Sequence, residues 1–145
     1  MPATPEPAGG EGSILAFDYG ARLIGVAVGH RLTASARSLG TLATGDWDAL
    51  DRLVDEWQPA CLVVGLPLAL DGSEQPMSAA ARRFAAALEQ RHNLPVQLVD
   101  ERLSSHAAAR RFAARRAAGS ARRKHAAGID GLAAEVILED WLAQA

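Results

Sequence analysis

Hydrophobic and polar positions along the chain change period twice, and the changes divide it into elements. Ile14–Asp18 is an apolar run that stops at an aspartate before Tyr19-Gly20, the pattern of a buried strand. Leu23–Gly29, rich in Val and Ile, follows a short connection, so the two runs form a hairpin. Thr33–Leu42 supplies a third strand, with Ser, Arg and Gly interrupting its alternation. Short links between three strands make them antiparallel neighbours. The period then lengthens. Asp46–Trp57 places Trp47, Leu50, Leu53, Val54 and Trp57 on one helical stripe, with Asp46 as N-cap and Pro59 closing the segment. Its outer face carries Asp48, Asp51, Asp55 and Glu56 against Arg52, an acidic face expected to point away from any phosphate backbone.

Cys61–Leu66 is a short apolar run that suits a central strand, and Pro67–Pro76 is a loop by its turn residues. Met77–His92 is an alanine-rich helix ended by Asn93-Leu94-Pro95, and Val96–Val99 is a strand that stops at Asp100-Glu101. Ser104–Ala117 is a helix with Ser104 as N-cap, Gly119–Gly128 a basic loop, and Asp130–Leu142 the last helix. Strand–helix–strand alternation requires parallel strands. The segments therefore add up to an α/β fold with a mixed five-stranded sheet, three antiparallel strands then two parallel, and helices on both faces. Residues 1–13 are rich in Pro, Gly and Ala and read as a disordered lead-in, leaving 14–142 as one domain. The start has neither the basic nor the apolar region of a signal peptide, and no run reaches the ~20 apolar residues of a membrane-spanning helix.

Composition changes this picture little, and charge placement changes it more. Apolar residues at 49% and charged residues at 22% fit an ordinary packed domain. The lone Cys61 excludes disulfides and cysteine-rich zinc sites and points to a reducing cytoplasm. Net charge is only −2, yet seven of the fifteen basic residues lie between His106 and Ile129, with no acid among them. That leaves eight bases against all seventeen acids elsewhere. Such a block marks either a face that meets polyanions or a solvated arginine-rich helix.

In open α/β sheets, sites form at the carboxyl ends of strands, which here carry Asp18, the loop after Gly65, and Asp100-Glu101. Acids at separate strand ends repel one another unless something positive joins them. Asp130 heads a stripe of Ala133, Ala134, Ile137, Leu138 and Trp141 that must face the sheet, with Glu135 and Glu139 on the solvent side. It is either a helix cap or a third ligand aimed at the end of the sheet. Hard oxygen donors suit Mg²⁺ or Mn²⁺ rather than zinc, and carboxylates from separate elements fit metal-assisted phosphodiester hydrolysis. His30, His92, His106 and His125 lack metal-ligand spacing, Cys61 sits in an apolar strand, and Gly65–Ser73 is not a Walker loop. Gly20 and Gly25 either let backbone approach a metal or phosphate, or make hairpin turns. Aromatic residues, at 5%, are assigned mostly to helix interiors rather than to a stacking platform.

Four segments in order, FDYGARLIGVAVG (Phe17–Gly29), VVGLPLALDGSEQP (Val63–Pro76), VDERLSS (Val99–Ser105) and KHAAGIDGLAAEVIL (Lys124–Leu138), resemble the YqgF family. These are Holliday-junction-resolvase-like proteins regarded as pre-16S rRNA nucleases. The resemblance implies an RNase H-like fold and a cytoplasmic, Mg²⁺- or Mn²⁺-dependent nuclease that processes the 5′ end of 16S rRNA. It also implies that Asp18, Glu101 and Asp130 are the catalytic, metal-binding acids, choosing Glu101 over Asp100. Tyr19 and Ala69 stand where the family often has Phe and Asn, departures that bear on substrate contacts rather than on the acids. Arg122, Arg123 and Lys124, which precede Asp130, are then expected to track the nucleic-acid backbone; Arg102 either contacts a phosphate or holds Glu101. The expected partners are precursor rRNA in the small-subunit precursor, or branched DNA, met by a monomer or weak dimer away from membranes. Competing readings are a Holliday junction DNA endonuclease, a non-cutting assembly or transcription factor, and a nucleotide-binding half-domain related to the actin superfamily.

Overall fold

The computed structural model describes residues 13–101 and 125–144, with backbone alone for 125–130. Five strands form one sheet: β1 (Ser13–Tyr19), β2 (Leu23–His30), β3 (Ser35–Ala43), β4 (Cys61–Leu66) and β5 (Val96–Asp100). Their order is β3-β2-β1-β4-β5, antiparallel from β3 to β1 and parallel from β1 to β5. The mixed sheet matches the expectation from the sequence. Strand β1 sits at its centre because its residues 14–17 are apolar on both faces, and all four are fully buried.

Alternation along β1 sends Leu15 and Phe17 to one face and Ile14 and Ala16 to the other. The first face is covered by α1 (Trp47–Trp57) and α2 (Pro76–His92), through Leu50, Phe84 and Leu88. The second is covered by α3 (His125–Gln144), through Ala134, Ile137, Leu138 and Leu142. Asp46 caps α1 as read, accepting a hydrogen bond from the Ala49 amide at 3.1 Å. Helix α1 ends at Gln58 and α2 at Asn93, both left-handed, the second being an asparagine that tolerates this conformation.

Three expectations need correction. Ser13 belongs to β1 and is buried, its hydroxyl donating to the Trp57 carbonyl, so the first strand includes one residue before the expected Ile14. Helix α3 begins at His125, so Asp130 lies inside the helix rather than at its cap. Glu135 does not face solvent: it is half-buried and its Oε1 accepts from the Ser38 amide at 3.1 Å. That amide is exposed by a register shift opposite Val26/Ala27, where the β2–β3 ladder is interrupted. The lead-in 1–12 and the expected helix Ser104–Ala117 lie outside the described residues.

Candidate active site

The chain runs outward from β1 in both directions, to β2 and β3 on one side and to β4 and β5 on the other. The β1/β4 junction is therefore the switch point at whose carboxyl end a site is expected. Asp18 stands on β1 opposite Gly25 of β2, one residue beyond the last β1–β4 pair, Phe17 with Val64. It shares a face with Ile14 and Ala16, the face that α3 covers. Glu101 follows β5 and shares the alternation of Val99, which packs on that same face; Asp100, one residue earlier, pairs with Leu66 and belongs to the other. The fold thus separates two neighbouring acids that sequence spacing left equivalent.

Asp18 and Glu101 meet. Burial, then the Asp18 charge and a hydrogen bond between the two carboxyls, then the Asp100 charge, push the Glu101 carboxyl up from 4.5 to about 8. No basic side chain among the described residues offsets this. Glu101 Oε2 is buried and has no hydrogen-bond partner among the described residues. A buried carboxylate oxygen without a donor is costly, and it marks a place where the fold leaves a ligand to be supplied.

Gly65 makes the approach possible. A methyl group built on it would lie 2.7 Å from Glu101 Oε2 and 2.6 Å from Ile137 Cδ1. Any side chain there would displace the Glu101 carboxyl or the end of the Ile137 side chain. The sequence reads Gly65 as part of the strand Cys61–Leu66 and gives it no role of its own; a glycine inside an otherwise Val/Leu strand is the available signal. Gly20 behaves as a turn glycine, since a methyl group on it would meet the Leu23 carbonyl oxygen at 2.6 Å.

Helix α3 lies with its N-terminal part toward the Asp18 end of the sheet. Gly131 packs against Ser38 and Gly40 of β3, at the level where β2 pairs with the end of β1, while Leu138 packs against Gly29 at the far end. Asp130 is two turns N-terminal to Ile137, the residue beside Gly65 and Glu101, and so shares its stripe. Its backbone is placed at the acidic end; its side chain is outside the described set. Among the described residues no three metal-ligating side chains converge, and Asp18 with Glu101 form a pair. Arg102, Arg122, Arg123 and Lys124 lie outside the described residues.

The remaining chemical candidates take structural positions. Cys61 is buried at the start of β4. His92 sits between α1 and α2, 3.3 Å from Asp51. The loop after β4 closes on itself through an Ala69–Ser73 turn and an Arg82–Glu74 ion pair, with Leu70 exposed at its tip. Among the described residues, no helix is long and apolar enough to cross a membrane.

A mixed sheet in this order, with acids at the carboxyl ends of its central strand β1 and its edge strand β5, has the RNase H-like fold. The structure of T. thermophilus RuvC in complex with Holliday junction substrate shares the fold, with a TM-score of 0.55 at 16% identity, over 91% of this chain and 94% of that one. The family model described as RuvX, Holliday junction resolvase, matches residues 12–144, and the chain belongs to that family. Relatives carrying the name "Putative pre-16S rRNA nuclease" include one from Xanthomonas oryzae pv. oryzae (strain PXO99A), 53% identical over 92% of this chain and 88% of its own length. Another, from Xylella fastidiosa (strain M23), is 52% identical over the same shares.

Proposed function

We propose that this protein is a divalent-metal-dependent nuclease that hydrolyses a phosphodiester bond of precursor 16S rRNA in the cytoplasm, at the 5′ end of the mature sequence. The observation that carries the reading is the Asp18–Glu101 pair, with Glu101 Oε2 buried and without a hydrogen-bond partner among the described residues. Two carboxyls pressed together without a cation destabilise a fold, and oxygen donors of this kind fit Mg²⁺ or Mn²⁺. Such an ion, when bound, supplies Lewis-acid stabilisation of the phosphate and lowers the pKa of a water nucleophile.

Asp18, Glu101 and Asp130 are the residues that would hold it. Glu101 keeps its proton at neutral pH without the ion and gives it up as the ion binds, so binding weakens as pH falls. Gly65 keeps the strand end bare so that the acid can enter. Gly131 and Glu135 fix α3 on β3 and thereby set the height of Asp130 along the sheet. Arg102, Arg122, Arg123 and Lys124 supply positive charge along the nucleic-acid backbone, where phosphate contacts position a substrate without reading its sequence.

The names of relatives that are about half identical over most of the chain support the ribosomal substrate. The family's description as a Holliday junction resolvase favours branched DNA as the second reading. Side-by-side cleavage of precursor rRNA and four-way-junction DNA, with Mg²⁺ and with Mn²⁺, separates them. Faster cleavage of the rRNA at the mature 5′ end supports the proposal, and a junction preference overturns its substrate. Normal precursor processing in cells carrying Asp18→Asn would overturn the catalytic reading altogether.

A further inference from the structure

On the other face of the same strand end lies a cavity of about 220 Å³, between the start of α1 and the middle of α2. Its walls include Tyr19, Trp47, Phe84 and Ala87, with Arg83 also bordering it. The Tyr19 and Phe84 rings lie 4.8 Å apart, and Trp47 is 5.7 Å from Phe84. Three of the seven aromatic residues, Tyr19 from β1 and Trp47 and Phe84 from the helices, thus border one cleft. Tyr19 directly follows Asp18 on β1, and alternation sends the two side chains to opposite faces. The cleft and the acid pair therefore stand back to back across one strand end, on adjacent residues.

We propose that this cleft receives one unpaired nucleobase of the nucleic-acid strand whose phosphate lies at Asp18 and Glu101. The inference rests on the nuclease reading and adds a requirement to it: the substrate must offer an unpaired nucleotide beside the bond that is cut. Three features fix the class of occupant. The volume lies below the ~300 Å³ at which pockets begin to hold drug-sized molecules, so it suits a single ring system. Aromatic walls accept the π-face of any base, which is how unstacked bases are held without sequence preference. Arg83 is exposed and in no ion pair among the described residues, whereas its neighbour Arg82 is bound to Glu74 and Arg91 to Asp51. A spare guanidinium beside an apolar cleft matches a base with its phosphate attached.

The test uses the full chain in EDTA, where no metal-dependent cutting occurs, and follows the Trp47 indole resonance during titration. The probes are a short single-stranded oligonucleotide, the same sequence as a blunt duplex, and adenosine monophosphate. The single strand is expected to shift the resonance and to bind about ten-fold more weakly to Ala87→Leu, which fills the cleft. The duplex is expected to bind both proteins alike. Arg83→Glu, at an exposed position, reads the same contact independently of packing and is expected to weaken the single strand more than the duplex. An unmoved Trp47 resonance, or equal single-strand affinity in wild type and both variants, overturns the proposal. Tighter binding of the mononucleotide than of the oligonucleotide overturns it in favour of a free-nucleotide site. These readouts need no catalysis, so failure of the nuclease reading, seen with Asp18→Asn in cells, stays distinct from failure of the cleft.

Discussion

Asp51, on α1, and Glu101, at the end of β5, receive opposite treatment from the same fold. Asp51 is part-exposed and meets Arg91 at 2.7 Å and 2.8 Å through two parallel hydrogen bonds, which hold its carboxyl below the usual range. Glu101 is turned inward against a second acid, and burial holds it far above that range. Among the described residues an arginine, Arg91, is placed across the α1–α2 seam from Asp51, and none is paired with Glu101. An acid matched within the protein is finished with; an acid left facing another acid is kept for something from outside. Perturbed groups of the second kind gather at functional sites because the strain is relieved by the ligand rather than by the fold.

The largest effects should come from breaking the Asp18–Glu101 pair. Asp18→Asn or Glu101→Gln is expected to lower metal-dependent cleavage by orders of magnitude in a single-turnover assay. The same changes should raise the melting temperature of the metal-free protein at pH 8 by several degrees, because each removes like-charge repulsion from a buried site. Gain of stability with loss of activity is the signature of a ligand set; loss of both would make the acids structural. The pH dependence follows in sign. The unfolded chain releases the Glu101 proton near 4.5 and the folded chain near 8, so between these values the folded state holds more protons. Stability of the metal-free protein therefore falls as pH rises through that window, and Glu101→Gln flattens the fall in pH-dependent denaturation. In Asp18→Asn, Glu101 should titrate below about 8 yet above 4.5, since burial, its larger cause, remains.

A smaller effect is expected from the glycine that admits Glu101. Gly65→Ala puts a methyl group where Glu101 Oε2 and Ile137 Cδ1 now lie, so one of them must move. Activity should drop by roughly 10- to 100-fold, the range typical when a metal ligand loses its orientation. Mn²⁺ affinity measured by calorimetry should fall with it. Unchanged affinity would mean that Ile137 yields and the acid does not.

Most of the fold was legible because burial leaves a period. Residues 14–17 and Cys61–Leu66, apolar throughout, read as central strands, and both are buried on two faces. The stripe Trp47, Leu50, Leu53, Val54 and Trp57 read as one helix face, and it packs on the core as a unit. What period does not encode is which partner a polar side chain finds. Glu135 read as solvent-facing because helical spacing places it off the apolar stripe, yet a bulged edge strand turned an amide toward it. Asp130 read as the start of its helix because the glycine-flanked segment Gly119–Gly128 before it read as a loop. The helix instead begins at His125, and Gly131 within it allows close packing on Ser38. Asp100 and Glu101 were inseparable by spacing; the family resemblance favoured Glu101, and the sheet's alternation puts the two on opposite faces.

The smallest effect belongs to the matched acid, and it sharpens the contrast. Asp51→Asn removes one partner of a part-exposed ion pair, which screening and side-chain entropy make worth little. Melting temperature and cleavage should both stay close to wild type. His92 offers a finer probe, since its titration is already pushed below the ordinary 6.5 by burial, with Asp51 pulling it back up and Arg91 adding to the depression. Without the Asp51 charge only the two lowering influences remain, so His92 should titrate lower still in an NMR pH series. The folded state then favours neutral His92 more strongly, and the variant should lose stability relative to wild type only as pH falls below about 6.5. A rise in the His92 pKa, or a cleavage defect at neutral pH, would mean that the α1–α2 seam is coupled to the acidic end of the sheet and that the two regions do not divide the labour between them.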